Sequence, residues 1–373
     1  MGIKMKKVLL LVLALFAMLM LASCGEKEEG PADGSAQIAV VTDVGQLRDG
    51  GFNEGTWNGA EGFAKANGKT VQYYQPANGA DATDADRIAA MRLAIENGAE
   101  IIVTPGFLQA AAITAVATES PNVKFVFVDG WPLGLDNVTA ISYKEEESGF
   151  LAGYAAVMDG YTKLGGTFGG GGTNAACNRF AYGYAQGAAA AAKELGKDVE
   201  MKISFQYGSA FSASQELQTQ MSAWYQGGTE IIFSCGGSML QSVKAAAAET
   251  EKGMIIGVDV DQHGESDRVL TSAVKGLAVS VQKVLGEFYE GKWDSLLKNN
   301  LSNLGAADDS TGLPTNADAW RFKTFTVEQY NAVFAQIKNG TLVIKNDVLS
   351  DMNDSAPWAQ LQTSLSNIAI TLE

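Results

Sequence analysis

Glu100-Ile101-Ile102-Val103-Thr104-Pro105-Gly106 returns as Glu230-Ile231-Ile232-Phe233-Ser234-Cys235-Gly236, and Phe125-Val126-Phe127-Val128-Asp129 returns as Ile255-Ile256-Gly257-Val258-Asp259, both at an offset of 130. Further back, Lys65 and Gly68 pair with Lys193 and Gly196 at 128, the shift that a length difference of two residues gives. One apolar strand recurs by chance; several matches in one register point to a duplicated unit. Short apolar runs alternate with amphipathic or alanine-rich stretches, which predicts strands at 37–43, 70–75, 100–104 and 123–128 and helices near 53–67, 84–97 and 108–119. Parallel strands joined through helices need right-handed crossovers, so each copy forms an open sheet with helices on both faces. The expected fold is therefore α/β, with two like lobes at 36–150 and 151–270 and a hinge between them. Residues 271–373 supply crossovers and C-terminal segments that return to the lobes. In open sheets a ligand sits outside the carboxyl ends of the strands, where Asp129 and Asp259 each offer a carboxylate from their own lobe.

The N-terminus says where the lobes work. Lys4, Lys6 and Lys7 precede an apolar run from Val8 to Leu21, shorter than the roughly 20 residues of a comfortable membrane span, and Leu21-Ala22-Ser23-Cys24 closes it. That order reads as a lipoprotein signal peptide at 1–23, with Cys24 offering its thiol to a diacylglyceryl group. The charged and small residues of 24–35 form a tether with nothing to bury. Cleavage before Cys24 leaves 350 residues (373 less 23) and removes three lysines, moving the formal charge from −15 to −18. So acidic a chain repels nucleic acid and anionic lipid. Only Cys177 and Cys235 remain after Cys24, too few for a disulfide framework, so packing holds the fold; both are expected as buried thiols near the cleft.

Three motifs in order carry a family resemblance. Asp43-Val44-Gly45 with Asp49-Gly50-Gly51-Phe52-Asn53-Glu54, then Glu147-Ser148-Gly149-Phe150-Leu151-Ala152-Gly153-Tyr154, then Gly257-Val258-Asp259-Val260-Asp261-Gln262 followed by Val269-Leu270-Thr271-Ser272-Ala273-Val274-Lys275, resemble the basic membrane protein, or PnrA-like, family of lipoproteins. With the Cys24 motif, the resemblance spans Ile38 to Trp293. It implies a type I periplasmic-binding-protein fold with two Rossmann-like lobes. It also implies a monomeric, lipid-anchored, substrate-binding subunit of an ABC importer that delivers nucleosides, purine nucleosides above all, to a membrane permease. By the same resemblance Phe52 stacks on the base, and Phe211 is its partner from the second lobe, with Tyr207 as the alternative. Asp43 and Asn53 reach the base or ribose, Asp129, Asp259 and Lys275 grip the sugar, and Gly236 completes the site. Neither a metal nor a cofactor is implied.

The chemistry suits these assignments. An ionised carboxylate accepts two hydroxyl protons at once, so a vicinal diol is its natural partner. Stacking tolerates any base, whereas base-edge hydrogen bonds discriminate. A net negative site without an arginine cluster disfavours phosphate. Each residue also has a plainer reading: Phe52 as core, Asp129 and Asp259 as helix caps, Asn53 as an N-cap, Lys275 as a surface lysine. The glycine-dense stretch Gly165–Gly172 lacks the ending of a P-loop and the spaced acid of a dinucleotide site, and reads as a close-packed cleft turn. Glu145-Glu146-Glu147 reads as a solvated charge run and Asp308-Asp309 as a surface loop. Asp81, Asp84 and Asp86 lack the pattern of a calcium loop. A nucleoside hydrolase would also gather aspartates around ribose, but the single histidine, His263, has no nucleophile elbow near it and reads as a rim or surface residue. A surface adhesin draws no specific support. Beyond Trp293 the sequence predicts a helix near 325–339, a short strand at Leu342-Val343-Ile344 returning as a crossover, and a tail from Asp354 wrapping the surface.

Overall fold

A computed structural model describes residues 35–44, 46–207, 211–347 and 355–373. The signal peptide and Cys24 lie outside the described residues. The first sheet holds β1 (Ile38–Val41), β2 (Val71–Tyr74), β3 (Ile101–Pro105), β4 (Lys124–Val128) and β5 (Val138–Tyr143) in the order β2-β1-β3-β4-β5, all parallel. The second holds β6 (Lys163–Phe168), β7 (Val199–Ser204), β8 (Ile231–Cys235), β9 (Met254–Asp259) and β10 (Val269–Lys275) in the same order, β7-β6-β8-β9-β10. The repeat legible in the sequence is thus a repeat of topology. The helices α1 (Phe52–Asn67) and α5 (Ala175–Leu195) follow β1 and β6, and both end on the matched glycines Gly68 and Gly196 in the left-handed conformation.

The predicted strands and helices of the first lobe fall within a few residues of those observed. Strands β1, β3 and β8 are buried along their whole length, as continuous apolar runs covered on both faces must be. In the first lobe α1 and α8 (Leu277–Tyr289) cover one face, and α2 (Asp84–Glu96) with α3 (Ala110–Glu119) the other. In the second lobe α4 (Glu145–Met158) and α5 cover one face, and α6 (Gln215–Gln226) with α7 (Met239–Ala248) the other. Helices α4 and α5 touch backbone to backbone. A Cβ on Gly149 or Gly153 would run into the backbone of Phe180 or Tyr184, and one on Gly183 or Gly187 into that of Glu146 or Phe150.

Among the described residues the chain crosses between lobes three times: at Lys144 after β5, at Gly276 after β10, and between β11 (Leu301–Leu304), which joins the first sheet beside β5, and β12 (Thr311–Gly312), which pairs antiparallel with β10. The first crossing precedes the boundary read at 150, and β10 runs past the one read at 270.

The first crossing also corrects the reading of Glu145-Glu146-Glu147 as a solvated run, because all three are buried. Glu145 Oε2 accepts from Arg179 Nε at 2.6 Å, Glu146 Oε1 from Asn346 Nδ2 at 3.0 Å, and Glu147 Oε2 from the Ala306 amide at 2.6 Å and Thr311 Oγ1 at 2.8 Å. The run opens α4, where the helix dipole favours acids, and its partners lie far along the chain.

The C-terminal expectations need two further corrections. Leu342-Val343-Ile344 forms no strand; Ile344 is buried against the second-lobe core, with Leu342 partly so. The tail does more than wrap: after α9 (Val327–Lys338) come α10 (Ser355–Ser364) and β13 (Ile368–Leu372), which extends the second sheet parallel to β7.

Candidate ligand-binding site

Both sheets turn their strand ends toward one cavity of about 410 Å³, within the roughly 300–1,000 Å³ usual for small-molecule sites. All eight residues singled out in the sequence line it: Asp43, Phe52, Asn53 and Asp129 from the first lobe, Phe211, Gly236, Asp259 and Lys275 from the second.

Asp129 and Asp259 occupy equivalent strand ends and share an unusual backbone, with φ of 56° and 68°. A left-handed non-glycine residue is uncommon and strained, and here it recurs at both repeats. The capping reading fails for both, since no α-helix follows either residue directly: Asp129 leads to β5, and the short turn His263–Glu265 after Asp259 starts from Gln262. Instead the two carboxylates meet Lys275, whose Nζ lies 2.7 Å from Asp129 Oδ2, 3.2 Å from Asp259 Oδ1 and 3.8 Å from Glu145 Oε1. Lys275 is therefore no surface lysine; its side chain is 2% exposed. Burial opposes its charge, but Asp129, Asp259 and Glu145 together outweigh that and hold its pKa well above the ordinary value. Burial, with Asp129 adding and Lys275 opposing, pushes Asp259 up to about 6. Asp129 Oδ1 is buried and, among the described residues, has no hydrogen-bond partner.

Asp43 follows β1, with its Oδ1 accepting the Val44 amide at 2.6 Å, and burial pushes its pKa up to about 7. Its carboxylate passes directly over Gly106, whose φ is 104°; a Cβ there would overlap it. The second lobe repeats the device, because a Cβ on Gly236 would come within 2.9 Å of Phe211 Cδ1. The matched glycines are small because each repeat passes a cavity side chain across them.

Asn53 does not cap α1. Asp49 takes that role, accepting the amides of Gly51 at 2.9 Å, Asn53 at 3.1 Å and Glu54 at 3.1 Å. Asn53 lies one position inside the helix, buried, donating through Nδ2 to the carbonyls of Val44 and Gln46 at 3.3 Å each, with Oδ1 unpartnered among the described residues. Phe52 opens the helix, half-buried, packing partly on the first-lobe core while lining the cavity, and Lys275 Nζ sits 4.6 Å from its ring centroid. Of the two second-lobe rings considered, Phe211 lines the cavity, whereas Tyr207 packs against the α6–α7 cluster.

The sequence reading missed Phe107, whose ring meets that of Phe211 edge-on at 6.3 Å, as well as Gln46, Asn174 and Phe180 on the wall. Phe107 had a signal: it directly follows Gly106, the partner of Gly236. The glycine-dense stretch is a turn only in its second half: Gly165 and Gly166 lie within β6, and Gly170–Gly172 form the turn after it, with Gly170 close to Phe211. Cys177 and Cys235 are buried thiols on the same wall, Cys177 in the first turn of α5 and Cys235 at the end of β8. His263 pairs with Asp261 at 3.0 Å, half-exposed and off the cavity. Among the described residues no cluster of three or more His, Cys, Asp and Glu is placed to hold a metal, and no helix is long and apolar enough to cross a membrane.

Two duplicated α/β lobes whose strand ends share one polar and aromatic cavity define a two-lobed solute-binding protein. Residues 36–347 match the family model described as "ABC transporter substrate-binding protein PnrA-like", and the chain belongs to that family. It is 28% identical over 321 residues to the ABC transporter nucleoside-binding protein BmpA of Lactococcus lactis subsp. cremoris, covering 79% of this chain and 88% of that one. It is 27% identical over 322 residues to a CD4+ T-cell-stimulating antigen of Listeria innocua, covering 80% and 87%. An ABC transporter system solute-binding protein of Aeropyrum pernix K1 has the same fold, with a TM-score of 0.65 at 22% identity over 87% of this chain and 89% of that one. The protein is thus the solute-binding component of an ABC importer, a carrier rather than an enzyme, working with a membrane permease complex.

Proposed function

We propose that this protein captures nucleosides, purine ribonucleosides above all, between its lobes and releases them to its permease, as a monomer held to the exported face of the membrane by lipid on Cys24. Phe52 and Phe211 cover the faces of the base, Asp43 and Asn53 read its edge or the ribose, and Asp129, Asp259 and Lys275 hold the vicinal diol. The observation that supports this most is the gathering, in one cavity, of aromatic rings from both lobes with the buried acceptors Asp129 Oδ1 and Asn53 Oδ1, which lack partners among the described residues. An unmet buried acceptor costs about 1–3 kcal/mol, and a ligand rich in hydroxyl and N–H donors recovers it. The carboxylate excess favours a neutral ligand over a phosphorylated one. The nucleoside-binding name of the Lactococcus relative points the same way. Closure of the lobes on the ligand follows from contacts that only the closed state completes.

The test is thermal unfolding of the soluble form begun after Cys24, with guanosine, inosine, adenosine, cytidine or ribose. A ligand bound only to the native state adds RT ln(1 + [L]/Kd) of stability, about 2.7 kcal/mol at 100 times Kd. A purine ribonucleoside raises Tm without releasing free base, and Phe52→Ala or Asp259→Ala removes most of the shift. An unchanged Tm with every nucleoside refutes the ligand class.

A further inference from the structure

Two thiols in the cavity wall have no part in this binding scheme. Cys235 closes β8 and Cys177 sits in the first turn of α5, where Asn174 Oδ1 accepts its amide at 2.8 Å. Their sulfurs face each other at 3.9 Å. A disulfide bond is roughly 2.05 Å long, so the sulfurs need approach by only about 2 Å. Both residues line the cavity, and Cys177, 6% exposed against 1% for Cys235, is the one a reagent meets first.

We propose that Cys177 and Cys235 form a reversible dithiol–disulfide site in the cavity wall, oxidised by small neutral disulfides that enter through the cleft. The Cys177 sulfur attacks a reagent R–S–S–R, whose S–S bond breaks to leave a mixed disulfide on Cys177 and release one RSH. The Cys235 sulfur then displaces the second RSH, forming the Cys177–Cys235 bond. The two cysteines together lose two electrons and two protons, which leave in the two RSH molecules. Neutrality of the reagent matters because Asp43, Asp129 and Asp259 line the same cavity and oppose an anionic oxidant. Burial raises the Cys235 thiol well above its ordinary pKa, with Cys177 and Asp259 adding to this and Lys275 opposing it; the ring-closing step by Cys235 is therefore slow, and entry of the reagent to the buried pair limits the first. The resulting link ties the end of β8, beside Gly236, to the N-terminus of α5.

The full chain is incubated with bis(2-hydroxyethyl) disulfide, quenched in acid and mapped by proteolysis and mass spectrometry without reduction. A Cys177–Cys235 peptide pair that dithiothreitol dissolves supports the site. In folded Cys235→Ser the reaction stops at a mixed disulfide on Cys177; should that variant not fold, Cys177→Ser stops at one on Cys235. Stable mixed disulfides on both Cys177 and Cys235 of the wild-type chain, or no reaction at either until urea unfolds it, overturn the proposal. A second arm rests on the nucleoside reading: with inosine at 100 times Kd about one molecule in a hundred is unoccupied, and cross-linking slows about 100-fold. An undiminished rate with a shifted Tm overturns the placement of the pair in the ligand's cavity. An undiminished rate with an unshifted Tm for every nucleoside refutes the nucleoside reading and leaves the dithiol site standing.

Discussion

Replacing Lys275 with methionine keeps much of the stem's bulk and removes a charge shared by both lobes' aspartates. Nζ lies 2.7 Å from Asp129 and 3.2 Å from Asp259 on a side chain 2% exposed, so both carboxylates remain buried when it goes. Breaking a buried pair from one side costs about 3–5 kcal/mol. At about 2 °C per kcal/mol for a chain of this size, Tm at pH 7.5 falls by roughly 6–10 °C. The penalty depends on pH with a definite sign. Asp259, already at about 6 with the lysine present, moves higher without it, while an unfolded aspartate releases its proton near pH 3.9. Between those values the native state holds the extra proton, so stability falls as pH rises. The gap between wild type and Lys275→Met should therefore narrow from pH 7.5 to pH 5, as read by urea denaturation at both. Asp129→Asn added to Lys275→Met should recover part of the loss. No gap at pH 7.5, or the same gap at both pH values, refutes the reasoning.

Other perturbations test the parts separately. Gly106→Ala sets a side chain at a φ of 104° against the Asp43 carboxylate and should cost about 1–3 kcal/mol while abolishing any ligand-induced Tm shift; Gly264→Ala, with open space around it, should leave both unchanged. Because the native state holds the Asp43 proton up to about pH 7, the ligand-free protein should lose stability from about pH 4 to 7, by at most about 1.36 kcal/mol per pH unit from this group; Asp43→Asn should flatten that slope in urea titrations. Trp358, 3% exposed with its ring 6.2 Å from that of Phe205, should cost about 3–5 kcal/mol when replaced by alanine, visible as a lower urea midpoint.

The strands and the two-lobe plan were legible because a doubly covered parallel strand is a continuous apolar run, and because the offset of 130 between repeats survives in Glu100 and Glu230, Gly106 and Gly236, Asp129 and Asp259. Pattern fails where a residue's environment comes from afar. Glu147 looks solvated until Thr311 and Ala306 are seen against it. Asn53 and Asp49 are both sound caps by type, and only the turn between them decides for Asp49. Phe107 was passed over because one aromatic after a glycine carries no period. The tail resisted reading because β13 is a strand only through β7 and matches nothing in the repeat.

Duplication by itself would give a symmetric site, and the departure from symmetry sets its charge. Pairing along the sheets sets Val128 against Ile141 in one lobe and Val258 against Ala273 in the other; carried along the strands, the same register makes Tyr143 the counterpart of Lys275. The first lobe thus holds a neutral phenol, hydrogen-bonded to Ser280 at 2.5 Å, where the second holds a cation, and the two lie with Nζ 5.5 Å from the ring centroid. Two lysines would have given each repeated aspartate a counter-charge of its own. With neither, burial and Asp129 would push Asp259 higher still, with no cation to oppose them. One lysine shared between them meets Asp129 through Oδ2 at 2.7 Å and Asp259 through Oδ1 at 3.2 Å, and among the described residues Asp129 Oδ1 stays unmatched, an acceptor facing the cavity that a donor from a ligand can reach.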